Sequence, residues 1–132
     1  MKIQILPLVT GAQKATGLTV IIDVFRAFSL EAYMYISGAK KVIPVKTVED
    51  ALALKKENPS YILVGERKGI KVEGFDYGNS PSEFVGVDLS GKTLIHTTSA
   101  GVLGLASAVS ASQIVTGALV NAKATAKYIL EQ

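Results

Sequence analysis

The sequence predicts an α/β fold, a single domain over residues 1–132 with a mostly parallel sheet and helices on both of its faces. Short runs of β-branched and aliphatic residues alternate along the chain with segments of helical periodicity. This alternation is typical of parallel strands joined by right-handed crossovers. A length of 132 residues suits one domain, and no repeat, low-complexity tract or linker divides the chain.

The strands are predicted from short apolar runs. The run at residues 18–23 is β-branched and nearly continuous, which is typical of a strand buried on both faces. Pro44 places its own strand near a sheet edge, and residues 1–7 alternate apolar and polar side chains like a further strand. The main expected strands are residues 18–23, 41–45, 61–65, 93–97 and 113–116.

Capping and stop signals delimit the helices. Thr47 is a candidate N-cap, and two acidic residues follow it in the first turn of the helix. Asn58 precedes a proline that ends this helix. Asn121 is expected to cap the terminal helix. Residues 66–80 show no clear period, so they are expected to form an irregular segment that is either functional or mobile. The expected helices are residues 26–37, 47–58, a short turn at 81–84, 100–109, and 121 to 129 or 130.

Composition excludes several classes of protein. The absence of cysteine removes disulfides, thiolate metal sites and cysteine nucleophiles. No apolar run approaches the ~20 residues of a membrane span, and the start lacks a signal-peptide core, so we expect a cytoplasmic protein. The net charge of +3 is spread over separate lysine and arginine pairs. A nucleic-acid binder would more often show a basic stripe, and this charge suits a small anionic ligand at least as well, so we expect no nucleic-acid partner.

The balance of apolar and charged residues also bears on assembly. Hydrophobic residues make up 48% of the chain and charged residues 19%, against about 25% charged residues in average domains. Few charges are therefore available to cover a large free surface. We expect hidden surface, such as a homo-oligomer interface or the contact with a missing partner domain.

A candidate site lies at the carboxyl ends of the expected strands, because the ends of parallel strands open onto one crevice. Asp23 and Glu66 are carboxylates that suit Mg²⁺, and arginines can bind phosphate oxygens through two donors each. Hydroxyls before a helix can contribute to an anion site. The candidate catalytic residues are Asp23, Arg26, Glu66 and Arg67, with Asp23 and Glu66 as metal ligands. The candidate substrate-binding residues are Asn79, Ser80, Thr97, Thr98 and Ser99.

Several familiar chemistries lack their residues in this sequence. There is no Walker loop and no GxGxxG after the first strand, so nucleotide hydrolases and dinucleotide enzymes are not indicated. His96 is the only histidine, too few for a multi-histidine zinc site. We interpret it as a structural strand residue more readily than as a catalyst. For Asn79, shaping of the loop is at least as good an interpretation as ligand contact.

Several motifs, in this order along the chain, resemble the 2-phosphosulfolactate phosphatase (ComB) family over about its N-terminal half. The segment Gly65-Glu66-Arg67, followed by residues 74–81, Gly-Phe-Asp-Tyr-Gly-Asn-Ser-Pro, is the most specific match. The other matching segments are residues 23–27, 38–45, 49–55 and 97–101.

The resemblance implies a Mg²⁺-dependent acid phosphatase that releases phosphate from 2-phospho-3-sulfolactate. Our first hypothesis is therefore a phosphatase site in which the carboxylates bind metal, the arginines neutralise phosphate and the hydroxyls bind the anion. The alternative is a non-catalytic anion-binding or oligomeric assembly domain that kept the fold and lost the activity.

Overall fold

Five helices and six strands alternate along the chain in the structure, a computed structural model that describes residues 1–132. Helices α1 to α5 span Leu8–Ala12, Ala27–Ile36, Val48–Glu57, Gly101–Ser107 and Ala122–Leu130. Strands β1 to β6 span Gly17–Ile22, Lys41–Pro44, Ile62–Arg67, Ile70–Lys71, Thr93–Thr97 and Ala111–Gly117. Short 3₁₀ turns lie at Pro81–Phe84 and Leu119–Asn121. The predicted α/β class with mostly parallel strands is confirmed.

The strands form two sheets rather than the single sheet that the alternation predicts. A four-stranded sheet has the order β2-β5-β3-β4, in which only β4 is antiparallel to its neighbour. A separate parallel pair joins β1 to β6. Strand β2, which contains Pro44, lies at the edge of its sheet as predicted.

The four-stranded sheet is covered on both faces, because neighbouring residues of a strand point to opposite sides. Val64 and Leu94 pack with Leu30 and Met34 of α2 on one face. On the other face Leu63 and Ile95 pack with Ala51 of α3 and with Phe75. The expected placement of helices on both faces is therefore confirmed for this sheet.

Strand β1 departs from the predicted burial. Its composition is that of a strand buried on both faces, yet none of its six residues is buried, and Ile22 is 71% exposed. The prediction is wrong for this chain because β6 is the only strand that pairs with β1. Ile21 packs against Ala27 and Phe28 on one side, but all six residues of the strand also line an open groove.

The N-terminal segment also differs from expectation. Residues 1–7 form no strand, and they pair with none of the six strands. Their apolar side chains are largely exposed, with Ile5 at 90%. Helix α1, which follows directly, was not predicted.

Residues 66–80 are more regular than the sequence suggests. Strand β3 continues to Arg67 and turns into β4 through Lys68 and Gly69. Both turn residues have positive φ, 53° and 80°, as a two-residue hairpin with the right-handed twist of the sheet requires.

The two capping predictions have different outcomes. The Thr47 hydroxyl accepts a hydrogen bond from the Asp50 amide at 3.0 Å, so this N-cap is confirmed. Asn121 occupies the N-cap position of α5 but makes no side-chain cap, so that prediction is wrong. Its side chain bonds to preceding residues instead: the amide oxygen accepts the Ala118 N–H, and the amide nitrogen donates to the Thr116 carbonyl.

Gly65 permits the close approach of β3 to β5. A Cβ at this position would overlap the Thr97 carbonyl oxygen and lie 3.0 Å from Thr97 Cγ2. We expect Gly65→Ala to lower the free energy of unfolding by about 2–3 kcal/mol, measured by urea denaturation, because the strands must separate. Gly104→Ala is the control, since its Cβ would meet only Ile21 Cγ2, at 3.6 Å. Equal stability losses in both variants would contradict this explanation.

Candidate active site

A cavity of about 230 Å³ lies where β1, β3 and β5 end, and it gathers most of the predicted site residues. Six of the nine candidates line it: Asp23, Arg26, Glu66, Asn79, Thr98 and Ser99. Four further residues complete the wall: Phe25, Lys68, Gly69 and Ala100. Arg67, Ser80 and Thr97 are not part of the wall, which differs from expectation.

Glu66 is held by donors from two loops. Its Oε1 accepts the Ser99 amide at 2.6 Å, and its Oε2 accepts the Gly69 amide at 2.7 Å and the Ser99 hydroxyl at 3.1 Å. The side chain is only 5% exposed. Burial raises its pKa, but these donors and the Arg67 charge outweigh burial and lower the pKa overall. Glu66 is therefore an ionised, oriented carboxylate at neutral pH.

Asp23 follows β1 and faces the start of α4. Burial raises the pKa of Asp23, and the negative charge of Glu66 adds to the increase. The nearby backbone N–H groups of Ala27 and Gly101 favour the charged form and offset the rise only in part. A Cβ on Gly101 would lie 2.5 Å from Asp23 Oδ2, so only glycine leaves room for the carboxylate. The two carboxylates thus have opposite pKa shifts in one site, a pattern associated with distinct chemical roles.

Two cationic side chains in the wall have no ion-pair partner. Arg26 precedes α2 and Lys68 lies in the β3–β4 turn. The only ion pair in the chain joins Lys127 to Glu131, on α5 and at its end. Arg26 and Lys68 are therefore available to neutralise an anionic ligand in the cavity.

Arg67 binds within the protein instead of facing the cavity. Its guanidinium donates to the carbonyl oxygens of Glu66 and Lys46, at 2.7 and 3.1 Å, and to Thr97 Oγ1 at 2.8 Å. It connects β3 to β5 and to the loop after β2. Ser80 is also engaged elsewhere, since its hydroxyl pairs with that of Ser82.

The hydroxyls at the end of β5 shape the turn. Thr98 Oγ1 accepts the Val102 amide at 3.0 Å. Ser99 donates through both its amide and its hydroxyl to Glu66, and its hydroxyl also accepts the Lys68 amide at 3.1 Å. The predicted anion-binding donors of Ser99 are thus already occupied in positioning Glu66.

The oxygen atoms facing the cavity fit a hard cation. Asn79 is buried, lines the cavity, and its Oδ1 has no hydrogen-bond partner. With Asp23 and Glu66 it provides three side chains with oxygen donors around one space. No three histidine, cysteine, aspartate or glutamate side chains are placed together so that they could hold a metal ion. The set therefore fits Mg²⁺, which takes one or two carboxylates and retains waters, better than zinc.

His96 is fully buried beneath the site, and burial lowers its pKa to about 4 although the charge of Glu66 opposes the shift. Unfolding raises the pKa towards 6.5, so the unfolded chain binds more protons between pH 6.5 and 4, and stability falls as the pH falls.

We expect wild-type protein to lose on the order of 3 kcal/mol more than His96→Phe between pH 7 and pH 4. Urea denaturation at pH 7, 5.5 and 4 measures this difference. Because His96 is the only histidine, parallel pH profiles for the two proteins would show that another group causes the loss.

The cavity wall includes residues that sequence reasoning missed. Lys68 and Gly69 belong to the two-residue turn, and a lysine-glycine pair directly after a strand was an available signal for it. Phe25, next to Arg26, is 92% exposed at the rim, and its position had no signal beyond that neighbour.

No helix of the structure is both long and apolar enough to cross a membrane. Fold and cavity together define an α/β protein with a carboxylate-rich, cation-flanked site at the carboxyl ends of parallel strands. The family model described as 2-phosphosulpholactate phosphatase matches residues 5–132. The chain belongs to this family.

Similar curated proteins carry the name "Probable 2-phosphosulfolactate phosphatase". The one from Bacillus subtilis (strain 168) is 39% identical over 112 residues, covering 85% of this chain and 49% of the relative. Those from Carboxydothermus hydrogenoformans and Caldanaerobacter subterraneus subsp. tengcongensis are 46% and 44% identical over 112 residues. These two alignments cover 85% and 83% of this chain and 46% of each relative. The chain thus spans about half the length of these relatives.

Proposed function

We propose that the protein is a Mg²⁺-dependent phosphatase acting on a small phosphorylated hydroxy acid, with 2-phospho-3-sulfolactate as the first candidate substrate. The observation that carries the proposal is the composition of the cavity: two carboxylates of opposite pKa shift and two unpaired cations share one wall. Membership of the family supports the choice of substrate.

Asp23, Glu66 and the amide oxygen of Asn79 are the residues that would hold Mg²⁺. When bound, the ion supplies positive charge that stabilises a phosphoryl group in transfer. The hydrogen bonds of Ser99 and Gly69 to Glu66 keep this carboxylate ionised and fixed in orientation. Such preorganisation avoids reorientation during the reaction.

Arg26 and Lys68 would bind the anionic groups of the substrate. The arginine can offer two parallel donors to phosphate, whereas the lysine provides a compact charge for a second anionic group such as a carboxylate or sulfonate. Arg67 acts as a positioning residue, because its bonds to Thr97 and Lys46 maintain the relation of β3 to β5.

Removal of the Lys68 charge should weaken substrate binding. We expect Lys68→Met to raise KM about 10-fold with a smaller change in kcat, because a fixed charge contacts the ground state and transition state alike. Steady-state kinetics with 2-phospho-3-sulfolactate measure this effect. Lys71→Met is the matched control, since Lys71 is exposed on β4 outside the cavity. A KM that responds equally to both substitutions would argue against a specific contact.

The decisive experiment measures phosphate release from 2-phospho-3-sulfolactate and related phosphorylated hydroxy acids, with Mg²⁺ and with chelator. We expect turnover that requires the metal. No release from any of these substrates, by a chain that melts cooperatively, would contradict the proposal.

That negative result would favour the second candidate, a non-catalytic anion-binding or assembly domain. The observation in its favour is that the chain spans only 46–49% of these relatives. This candidate predicts that the phosphorylated acids bind without hydrolysis, which isothermal titration calorimetry would detect.

A further inference from the structure

A large apolar groove, much larger and more apolar than the adjoining candidate site, runs along β1. Its volume is about 1680 Å³, and Lys2 and Asp23 are its only charged side chains. The N-terminal segment, β1 and α5 form its walls. Large exposed apolar surfaces of this kind are rare on monomeric proteins and mark interaction sites.

Strand β1 presents an unpaired edge to this groove. All six of its residues line the groove, and β6 is its only strand neighbour. Its β-branched sequence is that of a strand buried on both faces, but the structure leaves it half-exposed. Purely parallel sheets are normally covered on both faces, and two strands alone are marginally stable. The composition of β1 therefore indicates that a further element packs against this strand, and residues 1–132 do not provide that element.

Helix α5 has an apolar face without a partner. The residues that line the groove recur at helical spacing: Ala122, Thr125, Ala126, Ile129 and Leu130. No residue of α5 is buried, and Leu130 is 77% exposed. A helix with such a stripe normally packs it against another element.

The accessible surface is also larger than expected for the mass. A monomer of 13.9 kDa is expected to expose about 6,700 Å², whereas this chain exposes 7967 Å². The excess of about 1,300 Å² exceeds the ~800 Å² that each partner buries in a standard interface. The uncovered surface is thus sufficient for a permanent contact.

We propose that the groove docks the polypeptide corresponding to the half of the family's length that this sequence does not span, with one strand of that polypeptide pairing along the free edge of β1. The relatives carry about as much chain again beyond the matched region. We expect that additional chain to pack against the matched half, and the groove is the large apolar opening that this half presents.

The groove is continuous with the candidate site. Asp23, Phe25, Ser99 and Ala100 line both. The docked polypeptide would therefore close the site on the side of Asp23 and exclude water there. This consequence rests on the proposed function, whereas the docking itself does not.

Co-expression tests the docking. The tagged chain is produced with an untagged polypeptide that comprises the unmatched half of the Carboxydothermus hydrogenoformans relative. We expect a 1:1 complex by size-exclusion chromatography with light scattering. Ile22→Asp and Leu130→Asp should each reduce the recovered complex at least 10-fold. Both side chains are exposed in the free chain, so folding should be retained. Ile70→Asp is the control, because Ile70 is 73% exposed on β4, away from the groove.

A single-chain fusion of the two polypeptides covers the case in which the second half is insoluble on its own. Hydrogen exchange at β1 and α5 should then slow at least 10-fold relative to the unfused chain, with α3 unchanged. Unchanged exchange in the fusion, a homodimer through the groove that excludes the second polypeptide, or a complex insensitive to Ile22→Asp would each overturn the proposal. Mass and exchange are read without substrate, so failure of the phosphatase assay leaves this result unaffected.

Discussion

Asp23→Asn is expected to lower metal-dependent phosphate release at least about 100-fold, the scale of losing one electrostatic group from an active site. The substitution removes the negative charge that would bind the ion while keeping an oxygen that can accept the Ala27 and Gly101 amides. Because burial already raises the pKa of Asp23, neutralising it should leave the melting temperature within a few degrees of wild type. Phosphate release and differential scanning calorimetry measure the two effects.

Asp88→Asn is the matched control for this variant. Asp88 is exposed to solvent and is not part of the cavity wall, and its carboxylate accepts the Ser90 amide at 2.9 Å. It should retain full activity. Retained turnover in Asp23→Asn would remove Asp23 from the mechanism, whereas a large loss of melting temperature would reassign its role to folding.

Glu66→Ala should abolish activity and also destabilise the fold by about 3 kcal/mol. The amides of Ser99 and Gly69 and the Ser99 hydroxyl all donate to this one carboxylate. A buried donor that loses its acceptor costs about 1–3 kcal/mol, and water entering the cavity can satisfy only part of that loss. Urea denaturation at pH 7 measures the change in free energy of unfolding.

The pH dependence of this difference provides a further check. Because the folded pKa of Glu66 is lowered, its stabilisation is fully present above the ordinary value of 4.5 and is lost as the pH falls through the folded pKa. The difference in free energy of unfolding between wild type and Glu66→Ala should therefore become smaller below pH 4.5. Glu73→Ala, at an exposed carboxylate further along the same segment, should show little loss at any pH. If this difference in free energy of unfolding does not change with pH, the destabilisation comes from lost packing and not from the lost charge.

Much of the candidate site was accessible from the sequence through one geometric rule. Asp23, Glu66 and Thr98 each lie at the end of an apolar run, and parallel strands place such ends at one edge. The rule could not predict which of the neighbouring residues Glu66 and Arg67 faces the cavity. Neighbouring residues of a strand point to opposite sides, so the first faces the cavity while the second bonds to Thr97 and Lys46. It also could not reveal that Ser99 uses its donors on Glu66, since that contact joins residues 33 positions apart.

The local pattern of the sequence was sufficient for the α/β class, the order of the main elements, the Thr47 cap and the edge position of β2. These features depend on backbone preferences and hydrophobic periodicity within a few residues. The division into two sheets, the turn that brings Lys68 into the wall, and the half-exposed state of β1 depend on which strands pair and what covers them. Strand β1 shows the difference clearly: its composition specifies burial, but burial requires a second surface, and no local signal reports whether this chain contains one.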